Sequence, residues 1–325
     1  MTTHERVQAI AALGFTERQA SFLAAVALHS GYCLRRQYET FAGIRYGKNV
    51  RAFLDGLVRR EFAVRFGGRA DRGHIYHLHS RRLFGVIGEV DHRHRRPASL
   101  AQIARRLMLL DVVISRRDVA WFATDAEKTD LFASRFHVPT HVLPQRASTA
   151  DAAAAPEYFP HHLPIFLSPD GVPNFVYLAA DGSADAFATF LRDHAVLLRS
   201  LSRWGILTVG PRHWAGLAPV FDAFNASLGA TVSGADDELQ WYFERRQLVD
   251  RGDLAQISVF DLRRFRTLRQ RFDSPAHERL YAEWLETGRT DAGTPGSPTG
   301  DSTGTLTSDV LPFAYEQFGS LPGVA

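Results

Sequence analysis

Apolar residues recur at helical spacing three times in the first third of the chain, and then the period shortens to two. The stretch "TERQASFLAAVALHSG" (16–31) sets Phe22, Leu23 and Val26 on one stripe behind Thr16, a hydroxyl residue placed to cap the first turn, and stops at Gly31. "LRRQYETFAG" (34–43) spaces Leu34, Tyr38 and Phe41 in the same way and stops at Gly43, and "GKNVRAFLDGLVRRE" (47–61) turns Val50, Phe53, Leu54 and Leu57 to one side. Phe62, Val64 and Phe66 then alternate with Ala63 and Arg65. Beyond a loop of glycines and arginines, Tyr76 and Leu78 alternate with His77 and His79, so a hairpin is predicted with the two sets on opposite faces. Three helices, a strand, a Gly-rich loop and a strand are the order of a winged helix-turn-helix, predicted over residues 1–90.

A polar, basic linker containing "DHRHRRP" follows over 91–100, and after it the texture changes. A helix "LAQIARRLMLLDVVIS" leads into strand-like runs at 118–124, 140–144, 163–169, 174–180 and 205–210, with the Ala-rich "STADAAAAPEY" as a surface loop among them. Between the last two runs, Phe187, Leu191, Leu198 and Leu201 mark a crossover helix, which makes residues 101–287 an α/β domain closed by three charged helices. The Gly-, Ser-, Thr- and Pro-rich segment 288–308 has little to bury and is expected to be disordered, and the tail 309–325 is expected to dock back through "DVLPFAYEQF". The predicted fold class is therefore α+β and α/β in succession.

Charge sharpens this picture. The net charge of +3 conceals 19 Lys plus Arg against 8 Asp plus Glu in residues 1–106, an excess of 11, while the remaining 19 against 27 leave a deficit of 8. Such a split points the first third, and only that third, at a polyanion. Only Lys48 and Lys128 are lysines, so the choice of arginine says less than its regional excess. The single cysteine, Cys33, excludes an internal disulfide and a cysteine-rich zinc site. No run of roughly 18 apolar residues is present to span a bilayer, and no secretory pattern opens the chain, so a cytoplasmic protein without membrane contact is expected.

The residues expected to touch double-stranded DNA follow from the helix-turn-helix geometry. Lys48, Asn49 and Arg51 lie near the start of the third helix, where side chains reach base edges; Asn reads adenine, and Arg or Lys reads guanine. Arg35, Arg36 and Gln37 open the preceding helix, placed to grip phosphates. Arg69 and Arg72 stand between glycines in the loop "GGRADRG", as a hairpin tip that enters the minor groove or follows phosphates. Winged helices also serve as protein-interaction modules, and a basic hairpin alone is often a solvated turn. Fold order, charge segregation and the tip arginines together favour DNA. His77 and His79 share a strand face and would need a third ligand for a metal; no thiol or paired carboxylate accompanies them, so a histidine cluster beside phosphate is preferred and no metal site is assigned.

The segment from "SPDGVPNFVYLAAD" to "GILTVGP" has the layout of a PD-(D/E)xK nuclease core, in which hard oxygen ligands hold a divalent cation and a lysine supports the attacking water. Asp170 takes the first position, but the next strand offers no acid before Asp181 and no lysine, so the cup is incomplete. Asp185, His194 and Ser200 follow one another along a helix without the strained turn that activates a serine. No phosphate loop or dinucleotide fingerprint is present, so neither a catalytic residue nor a cofactor is assigned.

A winged helix followed by a "PDG" hairpin, a strand running towards an aspartate and a long crossover helix resembles the replication-relaxation group of plasmid and integrative-element proteins, over roughly residues 14–210. Members often carry an acidic residue where this chain has Ala179. The resemblance implies a sequence-specific DNA-binding regulator of transcription, replication or conjugative transfer in a bacterial mobile element. A homodimer is expected on a two-fold site, with a catalytically empty α/β domain for dimerisation or partner contact. The alternatives are a metal-dependent nuclease or nicking accessory using Asp170 and Asp181, and a protein-interaction scaffold.

Overall fold

A computed structural model describes residues 1–45, 47–67, 74–146, 157–229, 233–253, 259–272, 275–287, 302–313 and 315. Helices α1 (Thr3–Ala11) and α2 (Glu17–His29) each begin with a reciprocal capping box, Thr2 with Glu5 and Thr16 with Gln19. After β1 (Tyr32–Leu34) come α3 (Arg35–Ala42), which ends on Gly43 in the left-handed conformation, and α4 (Lys48–Arg59). The hairpin strands β2 (Ala63–Phe66) and β3 (Ile75–Leu78) follow, and then the short helix α5 (Arg81–Val86). The strands form an antiparallel sheet in the order β1-β3-β2. The helices close on aromatic contacts, Phe22 with Tyr38 at 5.0 Å and Tyr38 with Phe53 at 4.4 Å between ring centroids.

The expected alternation holds only in part. Chain direction at Glu61, φ 57°, brings Phe62 and Ala63 both inward, whereas Val64 on the edge strand is 46% exposed. All four residues of β3 are buried, because it is the central strand and is covered on both faces. Tyr76 and Leu78 join the helical core, and Ile75 packs against α6 (Leu100–Ser115) on the other side. His77 stacks on Tyr32 at 4.3 Å and shares a hydrogen bond of 3.0 Å with the His94 carbonyl, so it is a structural residue rather than part of a surface cluster.

Helix α6 lies between two sheets. Ile103, Leu107 and Met108 share one core with Tyr32, Leu34 and Ile75 of the first sheet and with Val176, Leu178, Leu207 and Val209 of the second. Nor is the basic segment 91–100 a free linker. It makes a single 3-10 turn at Arg93–Arg95, buries His94 against the Ala27 carbonyl, and passes so close to Gly31 (φ 75°) that a Cβ there would lie 2.5 Å from the His94 carbonyl oxygen.

The second sheet is mixed, in the order β10-β9-β8-β7-β4. It contains β4 (Ala120–Phe122), β7 (Ile165–Leu167), β8 (Pro173–Leu178) and β9 (Arg203–Gly210); β7–β8 is a hairpin, and β8 joins its parallel neighbour β9 through the crossover helix α8 (Ala184–Arg199). Between β4 and β7 lie α7 (Asp125–Asp130) and the small ladder of β5 (Gln145–Arg146) and β6 (Glu157–Tyr158). The strand expected at 140–144 is instead a 3-10 turn at Thr140–Val142, flanked by Pro139 and Pro144, neither of which has an N–H to give a sheet. Most of the Ala-rich loop lies outside the described residues.

Part of the segment expected to be disordered is a strand. Thr303–Val310 forms β10, parallel to β9 over its whole length, while 288–301 lie outside the described residues. Its side chains are mostly exposed, so composition reads as disorder; what holds it is the backbone ladder offered by the open edge of β9, with Gly304 close against the Trp204 ring. Of the tail, the described Leu311 and Tyr315 are buried, and the rest beyond Tyr315 lies outside the described residues. Helix α9 (Leu217–Gly229) packs on α8 and β10, and α10 (Ser233–Asp250), α11 (Val259–Phe272) and α12 (Pro275–Thr287) enclose a separate aromatic cluster around Tyr242, Phe243 and Trp284. The chain is thus a mixed α+β protein. Among the described residues no helix is long and apolar enough to cross a membrane.

The interior carries several neutral imidazoles. Burial is the leading cause that brings His29 down to about 3 and His92 and His194 to about 4, and that takes His94 well below the ordinary imidazole range. In the unfolded chain these groups take up protons near pH ~6.5. Below that pH the unfolded state binds more protons than the folded one, so stability is full above it and declines as pH falls towards the folded values. The urea midpoint is therefore expected to fall between about pH 6.5 and pH 4, and His194→Leu to flatten the fall. A midpoint that holds constant across that window contradicts this.

Candidate nucleic-acid interface

The apolar stripe of α4 fixes which of its side chains face out. With Val50, Phe53, Leu54 and Leu57 buried, Lys48, Arg51, Ala52 and Arg59 are exposed and Asp55 is half-buried along the opposite side. The helix opens at Gly47, which has no side chain to cap its first N–H groups. Arg51 Nε lies 3.7 Å from one Asp55 carboxylate oxygen, and Arg65 Nη1 of β2 lies 3.7 Å from the other. Asp55 thereby joins Arg51 of the helix and Arg65 of the hairpin into one surface, and Lys48, exposed three positions before Arg51, shares that side of the helix.

Asn49 does not belong to that group. Two positions apart on a helix, Asn49 and Arg51 diverge by about 200°, and Asn49 lines a separate groove of about 410 Å³ with Arg18, Gln19 and Arg59 between α2 and α4. Arg18, Arg45, Arg59 and Arg65 are exposed basic residues of this region that helix-turn-helix geometry alone does not single out.

The three residues expected to grip phosphates are engaged elsewhere, and the expectation is corrected. Gln37 is fully buried; its Oε1 accepts from Leu34 N at 2.9 Å and its Nε2 donates to the Leu107 carbonyl at 2.8 Å. Arg36 donates from both terminal nitrogens to the Asp111 carboxylate, at 2.7 and 2.8 Å, with its guanidinium 3.5 Å from the Phe313 ring centroid. The Tyr315 hydroxyl donates to the same carboxylate. Arg35 pairs with Glu39 at 3.1 Å. The cause is α6, which packs over the start of α3 and makes Arg36 and Gln37 a joint between the two halves of the chain. Arg69 and Arg72 lie outside the described residues.

The would-be acid pair of the second sheet is also placed. Asp170 sits exposed in the β7–β8 turn, where the Ser168 hydroxyl and then Arg203, at 3.0 Å, hold its carboxyl below the usual range. Asp181 follows the far end of β8 and accepts from the Ser183 N–H at 3.2 Å. A six-residue strand separates them, roughly 20 Å at the usual rise per residue, so the two carboxylates do not share one ion. Among the described residues no group of three His, Cys, Asp or Glu is placed to hold a metal.

No family model, curated protein or solved structure matches this chain.

Proposed function

We propose that this protein is a sequence-specific regulator that binds double-stranded DNA through an N-terminal winged helix-turn-helix. The order α2-β1-α3-α4-β2-β3 and the sheet order β1-β3-β2 support that reading, with α4 as the helix that enters the major groove and the β2–β3 hairpin as the wing. The observation that carries it is the Asp55 bridge, because it orients Arg51 of the helix and Arg65 of the hairpin towards the same side. Arg51 then reads a base edge, Lys48 and Arg65 take flanking phosphates, and the uncapped start of α4 favours a further phosphate.

The second half of the chain serves dimerisation or partner contact, and the regulated process is transcription, replication or transfer of a mobile element. A homodimer doubles the contact on a two-fold site, which a single winged helix needs for tight binding. Genome-wide footprinting in the native cell, followed by mobility shift of the recovered fragment, tests the reading. A complex that survives excess competitor DNA and weakens steeply with salt is expected. Failure to shift any duplex at low salt sinks it and leaves the basic face to an acidic protein.

A further inference from the structure

We infer that the cleft between the basic segment 91–100, α6 and the loop ahead of β7 is a binding site for a small phosphate-bearing anion. The cavity, of about 270 Å³, is lined by Arg93 and His94 from the segment, Arg105 and Arg106 from α6, and His162 from the loop, and no Asp or Glu contributes to its lining. Among the described residues none of the three arginines makes an ion pair. Arg93 donates to the His162 carbonyl at 3.0 Å, and Arg106 lies 5.7 Å from the Tyr32 ring centroid. His162 Nε2 pairs with Glu157 at 3.0 Å, outside the cavity lining.

Three residues that line the cavity each carry a buried nitrogen with no hydrogen-bond partner among the described residues: Arg106 Nη1, His162 Nδ1 and Nδ1 of His29, which is more than nine-tenths buried. Unpaired polar groups and charges are costly to bury, so their concentration in one walled cleft is the mark of a missing partner. The electrostatics agree. Burial first, and then Arg106, brings Arg93 down to about 10, which Asp125 and Glu157 offset only in part; burial, and then Arg93, takes His162 to about 4. A bound anion offsets the mutual repulsion of Arg93 and Arg106.

Guanidinium forks match the oxygens of a phosphate bidentately, which favours phosphate over a monovalent anion. Leu109, Leu163 and Leu178 supply an apolar wall for the rest of a small ester. Leu178 ends β8, so the cavity lies at the carboxyl end of a parallel strand, where open α/β sheets receive ligands. A duplex backbone is a convex row of phosphates met by exposed side chains, whereas Arg93 and Arg106 are half-buried in a recess. The site stands independently of the proposed DNA surface on α4.

Calorimetric titration of the full chain, without DNA, with inorganic pyrophosphate and with adenosine monophosphate tests it. Both are expected to bind and to raise the thermal midpoint, which chloride at equal ionic strength does not. Arg106→Gln is expected to weaken binding about tenfold. The exposed Arg105→Gln, which carries little risk to folding, is expected to weaken it several-fold, and Arg266→Gln on α11 to leave it unchanged. Absence of binding at millimolar ligand overturns the inference, as does binding that neither Arg105→Gln nor Arg106→Gln alters. Equal losses of pyrophosphate and short-duplex affinity in the two variants also overturn it, since they identify a DNA track instead.

Discussion

Arg51→Ala is expected to lower affinity for the duplex recovered by footprinting about 10- to 100-fold and to narrow the gap between that and a scrambled sequence, while the protein remains folded. The magnitude is that of one lost bidentate contact to a base, about 1–3 kcal/mol. The side chain is 67% exposed, so its removal leaves no cavity and strands no buried partner. Lys48→Ala gives the contrasting result: a loss of similar size on every sequence, with the salt dependence reduced by about one unit of slope, because a phosphate contact carries no sequence information. Fluorescence anisotropy on cognate and scrambled duplexes at several salt concentrations separates the two. If Arg51→Ala weakens both duplexes equally, Arg51 touches only backbone; if it weakens neither, α4 is not the reading helix.

Arg36→Ala is expected to destabilise the fold by about 3 kcal/mol and to leave the salt slope of DNA binding unchanged. Asp111 is 5% exposed and is held by the paired nitrogens of Arg36 and by Tyr315. Removing one member of a buried pair leaves the other uncompensated, which costs about 3–5 kcal/mol, and the 27% exposure of Arg36 places this case at the low end. Replacing both, Arg36→Leu with Asp111→Leu, recovers much of the loss because no lone charge then remains buried. Urea unfolding of the three proteins measures this. A single variant as stable as the parent, with weakened DNA binding, would return Arg36 to the phosphate backbone.

Helices α2, α3 and α4 were legible because each rests on neighbours three and four positions away, and caps such as Thr16 act within one turn, whereas α1 and α5 were not foreseen. The crossover unit was legible for a related reason: an apolar run, an amphipathic helix and a second apolar run admit few arrangements. The hairpin was legible as a hairpin, yet not in its burial. A period of two reports one covered face, and β3 has two, the second supplied by α6.

The candidate surface divides along the same line. Lys48 and Arg51 could be picked from the apolar stripe of α4 alone, whereas the fate of Arg36 and Gln37 depended on partners far along the chain. Asp111 is 75 positions from Arg36, and Tyr315 is 204 positions from Asp111. Thr303–Val310 became a strand for the same reason, since the edge of β9 with which it pairs lies about a hundred residues away. Element type, helix facing and the segregation of charge were set by local spacing, because side chains a turn apart share a face whatever the remainder of the chain does. Which basic groups stay free for a ligand was settled only when α6 and the carboxy-terminal strand packed, because that choice turns on burial and on partners that proximity in the chain does not specify.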